Sequence, residues 1–500
     1  MQAQLIGKNK KGLSREQSRG FATLEILIAF MILILCISAV IMVSFGNQSV
    51  VVDSQISNEA ISKAQSLLEK ARADSRFDFN LVNPFTDTET SGPLTFNKKL
   101  DVKQIDLFTK ELTATISWQI GGRNLSTALA TLLTNPTVVN GGDTCSSVLV
   151  GDWKNPKIEN IISFSGFSGI PVGTYALTDI DVFKDKLYVT VGKTSDKTDP
   201  TFFVFDILDP SNPTLLGKLD NDIDVIAGLN SAVVFGKYAF VASASSYSRG
   251  QMQVIDLDSM SVKTFKVPVL DPFGSSEGLG NSIFYDNKTI YLGLTKSNSE
   301  NEFNIIDVSD PLNPDYKAGY PVGNAINAIV VRDKYAYIAS PNSEELQILN
   351  INNPNVPTPA GRFGVGSGNG KSIWLIGDKI YFGRTTDGGG GEDFQILNNA
   401  NSNITLPKLG GANISSSVNG VIVRDYLSFL LTGTKGTGSK LQIFKTDDLS
   451  NITSWNPTPL TLSSTGNVIE PSIDCEGNRL YVSSNDASGQ GSIYIIKPGP

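Results

Sequence analysis

Hydrophobic and polar positions change rhythm twice along the chain. From Phe21 to Phe45 the residues are apolar apart from Glu25 and a few small hydroxyl side chains. As a helix rising about 1.5 Å per residue, that stretch spans roughly 37 Å, enough to cross a bilayer with some tilt. Beyond it, in "SQISNEAISKAQSLLEKARADSRF", Ile56, Ala60, Ala64, Leu67, Leu68 and Ala71 recur at three- and four-residue steps. This period predicts an amphipathic helix over 46–75 continuing the apolar helix of 21–45, with its stripe turned toward a small sheet. In "ELTATISWQI", Leu112, Ala114, Ile116, Trp118 and Ile120 alternate with polar positions. Gly121-Gly122 makes a turn, and "NLSTALATLL" is the return strand. Strand-like segments near 94–97 and 99–108 complete a small antiparallel sheet within 90–135. Residues 136–144, "PTVVNGGDT", read as a linker.

From 145 to 500 the rhythm shortens into apolar runs of strand length. "KLYVTV", "YAFVAS", "TIYLGL", "YAYIAS", "KIYFGR", "LSFLLT" and "RLYVSS" place Tyr188, Phe240, Tyr291, Tyr337, Tyr381, Phe429 and Tyr481 at intervals of 44 to 52 residues. A second run follows most of them and closes on Asp, Asn and Pro, as in "FFVFDILDPSNP", "FNIIDVSDPLNP" and "LQILNINNPNVP". There, side chains bond their own backbone and proline fixes φ. A third run precedes each aromatic, and a fourth follows some of the turns. Four strands per repeat of this length is the pattern of a β-propeller blade. The core "NIIDVSDPLNP" resembles bacterial propeller repeats of the LVIVD type. Residues 146–166 read as the outer half of a blade whose inner strands lie at the C-terminal end. Joining the two ends into one blade gives seven blades, with six or eight as the other counts.

Composition narrows the chemistry. The chain has 41 basic and 49 acidic residues and no histidine. Histidine-based triads and histidine-containing zinc sites are therefore excluded. With Cys36, Cys145 and Cys475 the only cysteines, there is no cysteine metal cage either. No cofactor, metal or catalytic residue is expected. Without a basic face, nucleic acid is not an expected partner. Asp220, Asp222 and Asp224 have calcium-loop spacing, but Val225 and Ser231 replace the required glycine and glutamate, so a solvated loop is the better account. "DGGGGE" at 387–392 opens no helix and reads as a loop. No carboxylates stand out as an acid–base couple. Trp153, Trp374 and Trp455, with Tyr175, are either a sugar- or protein-binding face or blade packing. Cys145 and Cys475 lie in the same segment. One reading bonds them across the ring closure; the other leaves one on an inner strand and one near an outer strand, too far apart.

The leader before Phe21 carries Lys8, Lys10, Lys11, Arg15 and Arg19, which keeps that end in the cytoplasm and exports the rest. Gly20-Phe21-Ala22-Thr23-Leu24-Glu25, followed by the apolar helix, resembles the prepilin processing motif of type IV pilins and type II secretion pseudopilins. That resemblance implies a leader over 1–20, cleaved by a prepilin peptidase after Gly20, and N-methylation of Phe21. It makes Glu25 the assembly glutamate, a carboxylate that pairs with the new amine of Phe21 and lowers the cost of burying both. The fold expected is then a long helix on a small antiparallel sheet over 21–135, a linker, and an all-β propeller over 145–500.

The expected role is a minor, tip-located pilin-like subunit that displays the propeller for adhesion or partner binding outside the cell. Its partners are other pilin subunits through the helix, the peptidase, the inner membrane before assembly, and an unidentified glycan or protein. A pseudopilin of a type II secretion or DNA-uptake system uses the same leader and is the alternative. A surface-anchored propeller enzyme is the third reading.

Overall fold

In a computed structural model, the residues described are 19–77, 82–106, 109–134, 144–145, 149–194, 199–219, 228–244, 250–271, 273, 276–364, 368–386, 391–399, 405–434, 438–463 and 472–500. One helix, α1, runs unbroken over Arg19–Phe77. No proline interrupts it, and Gly46 does not end it, so the two segments expected on either side of 45 are a single element. Its span Glu25–Val43 is long and apolar enough to cross a membrane, and every residue of it is exposed.

The chain divides into two compact units, one built on α1 and a four-stranded sheet, the other holding Leu133–Pro500. The first sheet is an antiparallel meander of β1 (Phe85–Ser91), β2 (Leu94–Asp106), β3 (Thr109–Ile120) and β4 (Arg123–Thr134). The stripe Ile56, Ala60, Ala64, Leu67, Leu68 and Ala71 is buried, as are Phe96, Leu100, Leu112, Ala114, Ile116 and Trp118 on the sheet. Lys63 crosses the interface, 5.2 Å from the Phe96 ring centroid and ion-paired to Glu89 of β1. Gly121 and Gly122, at φ 55° and 76°, make the β3–β4 turn. Two expectations need correction. The segments near 94–97 and 99–108 are one strand, β2, and the sheet starts at Phe85 rather than 90. The polar run "TDTETS" hides β1 because an edge strand can be solvated on most positions.

Among the described residues, the second unit holds seven sheets, antiparallel apart from one short parallel pair. Their first strands are Tyr175–Val182, Leu229–Phe235, Gly280–Asp286, Ala328–Arg332, Gly368–Ile376, Val418–Arg424 and Ile473–Gly477, numbered here as sheets 1 to 7. The recurring aromatics lie on the second strands and are all buried. The Asp/Asn/Pro runs end the third strands as Asx turns: Asp206, Asp307 and Asn350 accept the N–H two residues on. Each sheet has its fourth strand, including repeats where the sequence marks none. Sheet 7 takes its outermost strand, Asp152–Ser163, from the front of the chain, antiparallel to the C-terminal strand Gly491–Gly499.

The short strand Thr144–Cys145 pairs parallel with Ile473–Gly477, which brings the two cysteines together. Cys145 and Cys475 form a disulfide with Cα atoms 5.1 Å apart. The reading that separates them as inner and outer overlooks this extra strand. Of the aromatics read as a binding face or as blade packing, Trp153, Trp374 and Tyr175 are buried, and Trp455 is half-buried against Tyr426. Cys36 is free and exposed on α1. Asp220, Asp222, Asp224 and residues 387–390 lie outside the described residues.

Candidate functional site at the convergence of seven sheets

An antiparallel sheet leaves the outer edge of its first strand without a ladder partner, and buried N–H groups there need acceptors. Here side chains from the neighbouring sheet supply them. Asp179 accepts the Ala232 N–H at 3.0 Å and Asp181 the Val234 N–H at 2.8 Å, both across sheets 1 and 2. Asp474 accepts the Val182 N–H, and Asn485 binds both the N–H and carbonyl of Leu177 at 2.8 Å, across sheets 7 and 1.

A second device repeats between sheets. Just before or within the first strand, one polar residue donates to a carbonyl of the next sheet. Thr178 reaches Leu229, Asn230 reaches Gly280, Asn281 reaches Ile326, Asn327 reaches Gly370 and Ser372 reaches Val418, at 2.6 to 3.1 Å. For the asparagines the signal stands in the sequence as "LNSAVVF", "GNSIFYD" and "INAIVV", whereas Asn419 in the similar "VNGVIV" donates to Gly433 of its own sheet. It passes unnoticed when only the apolar positions are aligned.

The seven first strands line one cavity of about 260 Å³. The residue facing the second-strand aromatic in register is Val233, Phe284, Val330, Trp374 and Ile422 in sheets 2 to 6. In sheets 1 and 7 it is Asp181 and Asp474. The fold therefore brings together a carboxylate pair 293 positions apart in sequence, with Asp179 beside it. The wide separation of the two residues is why no couple stands out in the sequence.

All three carboxylates border the cavity and are half-buried, and desolvation pushes their ionisation up. Asp181 is raised well above the ordinary carboxylate range by burial and then by the charge of Asp474. Asp474 is pushed up to about 7 by burial, against the N–H groups of Cys475 and Val182 that favour its charged form. Asp179 is raised by burial, opposed by the hydroxyls of Ser472 and Ser231. The result is a polar cavity with an acidic side whose carboxylates all ionise less readily than free ones. Among the described residues, no group of three or more Asp, Glu or Cys side chains is placed to hold a metal ion.

Of the processing residues, Gly20 and Phe21 lie in the first turn of α1, and Glu25 is exposed at the start of the bare apolar span.

A family model described as the LVIVD repeat matches residues 298–321 and 323–364. These cover the last two strands of sheet 3 and all of sheet 4, so the chain carries LVIVD repeats in a β-propeller-like fold. No curated protein matches the chain. Among solved structures it is similar to U3-55K, at 11% identity and TM-score 0.49, covering 69% of this chain and 100% of that one. It is also similar to a chain of the mitotic checkpoint complex, at 13% identity and TM-score 0.47, covering 70% and 96%. A functionally unknown protein from Desulfotomaculum acetoxidans is similar at 13% identity and TM-score 0.39, covering 64% and 99%.

Proposed function

We propose that this chain is a minor subunit of a type IV pilus-like filament that carries a seven-bladed, closed β-propeller as a binding module outside the cell. The observation that carries the reading is α1. One unbroken helix is bare and apolar over Glu25–Val43, and its buried stripe over Ile56–Ala71 packs in a unit with a four-stranded antiparallel meander. A helix exposing that much apolar surface must sit in lipid or against other helices. A single carboxylate at its start, after Gly20-Phe21, fits a subunit that passes from membrane to helical bundle once Phe21 has gained a free amine. Ring closure is supported by the hydrogen bonds from sheet 7 to sheet 1 and by the outer strand that sheet 7 borrows.

A binding role, not a catalytic one, fits the carboxylates of the central cavity. Asp179 and Asp474 spend their oxygens on backbone N–H and hydroxyl donors. A propeller of this bulk suits the tip of a filament better than every position along a close-packed shaft.

Mass spectrometry of the mature N-terminus is the decisive experiment. An N-methylated Phe21 is expected, and an intact Met1 on membrane-extracted protein overturns the reading. Immunogold labelling is expected to mark filament ends, and even labelling along the shaft would refute tip placement.

A further inference from the structure

The junctions between neighbouring sheets are not built alike. From sheet 2 to sheet 6 the first strands are latched by neutral donors. Asn230, Asn281, Asn327 and Ser372 each give a hydrogen bond to a carbonyl at the next sheet. Where sheets 7, 1 and 2 meet, carboxylates join the latch. Asp474 accepts the Val182 N–H across sheets 7 and 1, and Asp181 accepts the Val234 N–H across sheets 1 and 2 at 2.8 Å. Asp179 connects all three sheets. It takes the Ser472 hydroxyl at 2.6 Å, the Ser231 hydroxyl at 2.7 Å and the Ala232 N–H at 3.0 Å. Neutral bonds from Thr178 and Asn485 accompany them. All three carboxylates border the central cavity, and among the described residues no ion pair reaches any of them. By contrast, the buried carboxylate of Glu345, between sheets 4 and 5, is ion-paired to Arg384.

The other ionisable groups packed on this seam offset little of its charge. Glu476 of sheet 7 adds a fourth carboxylate, which accepts the Asp185 N–H at 3.0 Å. The phenols of Tyr188, Tyr481 and Tyr494 are pushed up by burial and stay uncharged at neutral pH. Arg479 and Lys497 are both held by Glu159, and Arg424 of sheet 6 donates to Asn478. Lys371 of sheet 5 is the one cation among the described residues of the cavity wall. Like charges sharing a poorly solvated site disfavour one another's ionisation. Desolvation raises Asp179, Asp181 and Asp474, the last to about 7, against the N–H and hydroxyl donors that favour charge. The closed seam therefore binds protons that an opened seam releases, so closure is favoured in acid and weakens as pH climbs through 7.

We propose that the seam of sheets 7, 1 and 2 is a pH-operated latch, closed in acid and loosened when its three carboxylates are charged together. The neutral junctions from sheet 2 to sheet 6 do not respond. The seam is also one wall of the central cavity, so loosening it admits solvent there. The proposal concerns the second unit alone and does not depend on the assembly of α1 into a filament. Hydrogen–deuterium exchange on detergent-solubilised full-length protein, with the disulfide intact, tests it at pH 5 and pH 8 after correction for intrinsic rates. Between those values, protection over Tyr175–Val182, Leu229–Phe235 and Ile473–Gly477 is expected to fall at least about tenfold more than over Gly280–Asp286, Ala328–Arg332 and Gly368–Ile376. Asp181→Asn combined with Asp474→Asn keeps an acceptor at each position and is expected to remove most of that difference. The wild-type comparison stands whether or not the double variant folds. An equal change over all six strands, no change over the seam, or an undiminished seam-specific loss in the double variant overturns the proposal.

Discussion

At Asp474 a carboxylate occupies a register position that sheets 2 to 6 fill with valine, isoleucine, phenylalanine or tryptophan. Its ionisation lies near 7 in the fold against about 3.8 when unfolded. The folded state therefore holds a proton that the unfolded chain releases, and stability falls as pH rises from about 4 to about 7. A shift of this size corresponds to a few kcal/mol on the order-of-magnitude scale. Asp474→Asn keeps an acceptor for the Val182 N–H and removes the charge. The mutant is expected to lose less thermal stability between pH 5 and pH 8 than the wild type, with the remaining loss coming from Asp181 and Asp179. Equal slopes for the two proteins would show that the pair titrates normally. Glu25 makes the converse case at the residue scale. Glu25→Ala is expected to insert into membrane as well as the wild type or better, while its recovery in sheared filaments falls severalfold; normal recovery would sink its assigned role.

Elements were legible to the degree that burial writes a period into them. The α1 stripe and the alternation of β3 can be read residue by residue, because each faces an apolar layer on one side. β1 could not, since a solvated edge strand has no such period, and neither could several fourth strands on the outer rims of the sheets. Asp181 and Asp474 escaped for another reason: each looks unremarkable locally, and only alignment of all seven first strands shows them as the two polar exceptions. The asparagine latches were visible in the sequence but belong to a polar pattern that hydrophobic periodicity ignores. They make a quantitative prediction for the sheet interfaces. Asn281→Ala leaves the Ile326 carbonyl without its donor and is expected to cost about 1–3 kcal/mol in denaturant unfolding. The exposed neighbouring change Lys288→Ala is expected to stay within about 0.5 kcal/mol. In the helical unit, Leu67→Ala is expected to cost about 2–5 kcal/mol, since its side chain is 6% exposed in the core.

For the molecule as a whole, the bond between Cys145 and Cys475 decides how the second unit meets mechanical tension. Cys145 lies seven residues before the borrowed outer strand Asp152–Ser163 begins its pairing with Gly491–Gly499. A pull from the N-terminal side would otherwise fall on that edge strand and peel its hydrogen bonds one at a time. The bond diverts the load to Ile473–Gly477, an inner strand, and the whole intervening segment is bypassed. The two sulfurs are 330 residues apart, a length of about 1,100 Å of extended chain. In single-molecule pulling from the two termini, the oxidised protein is expected to lengthen by about that much less than the reduced protein or Cys145→Ser. Under load from both ends, the propeller-like unit is thus held to a short extension as long as the bond is intact.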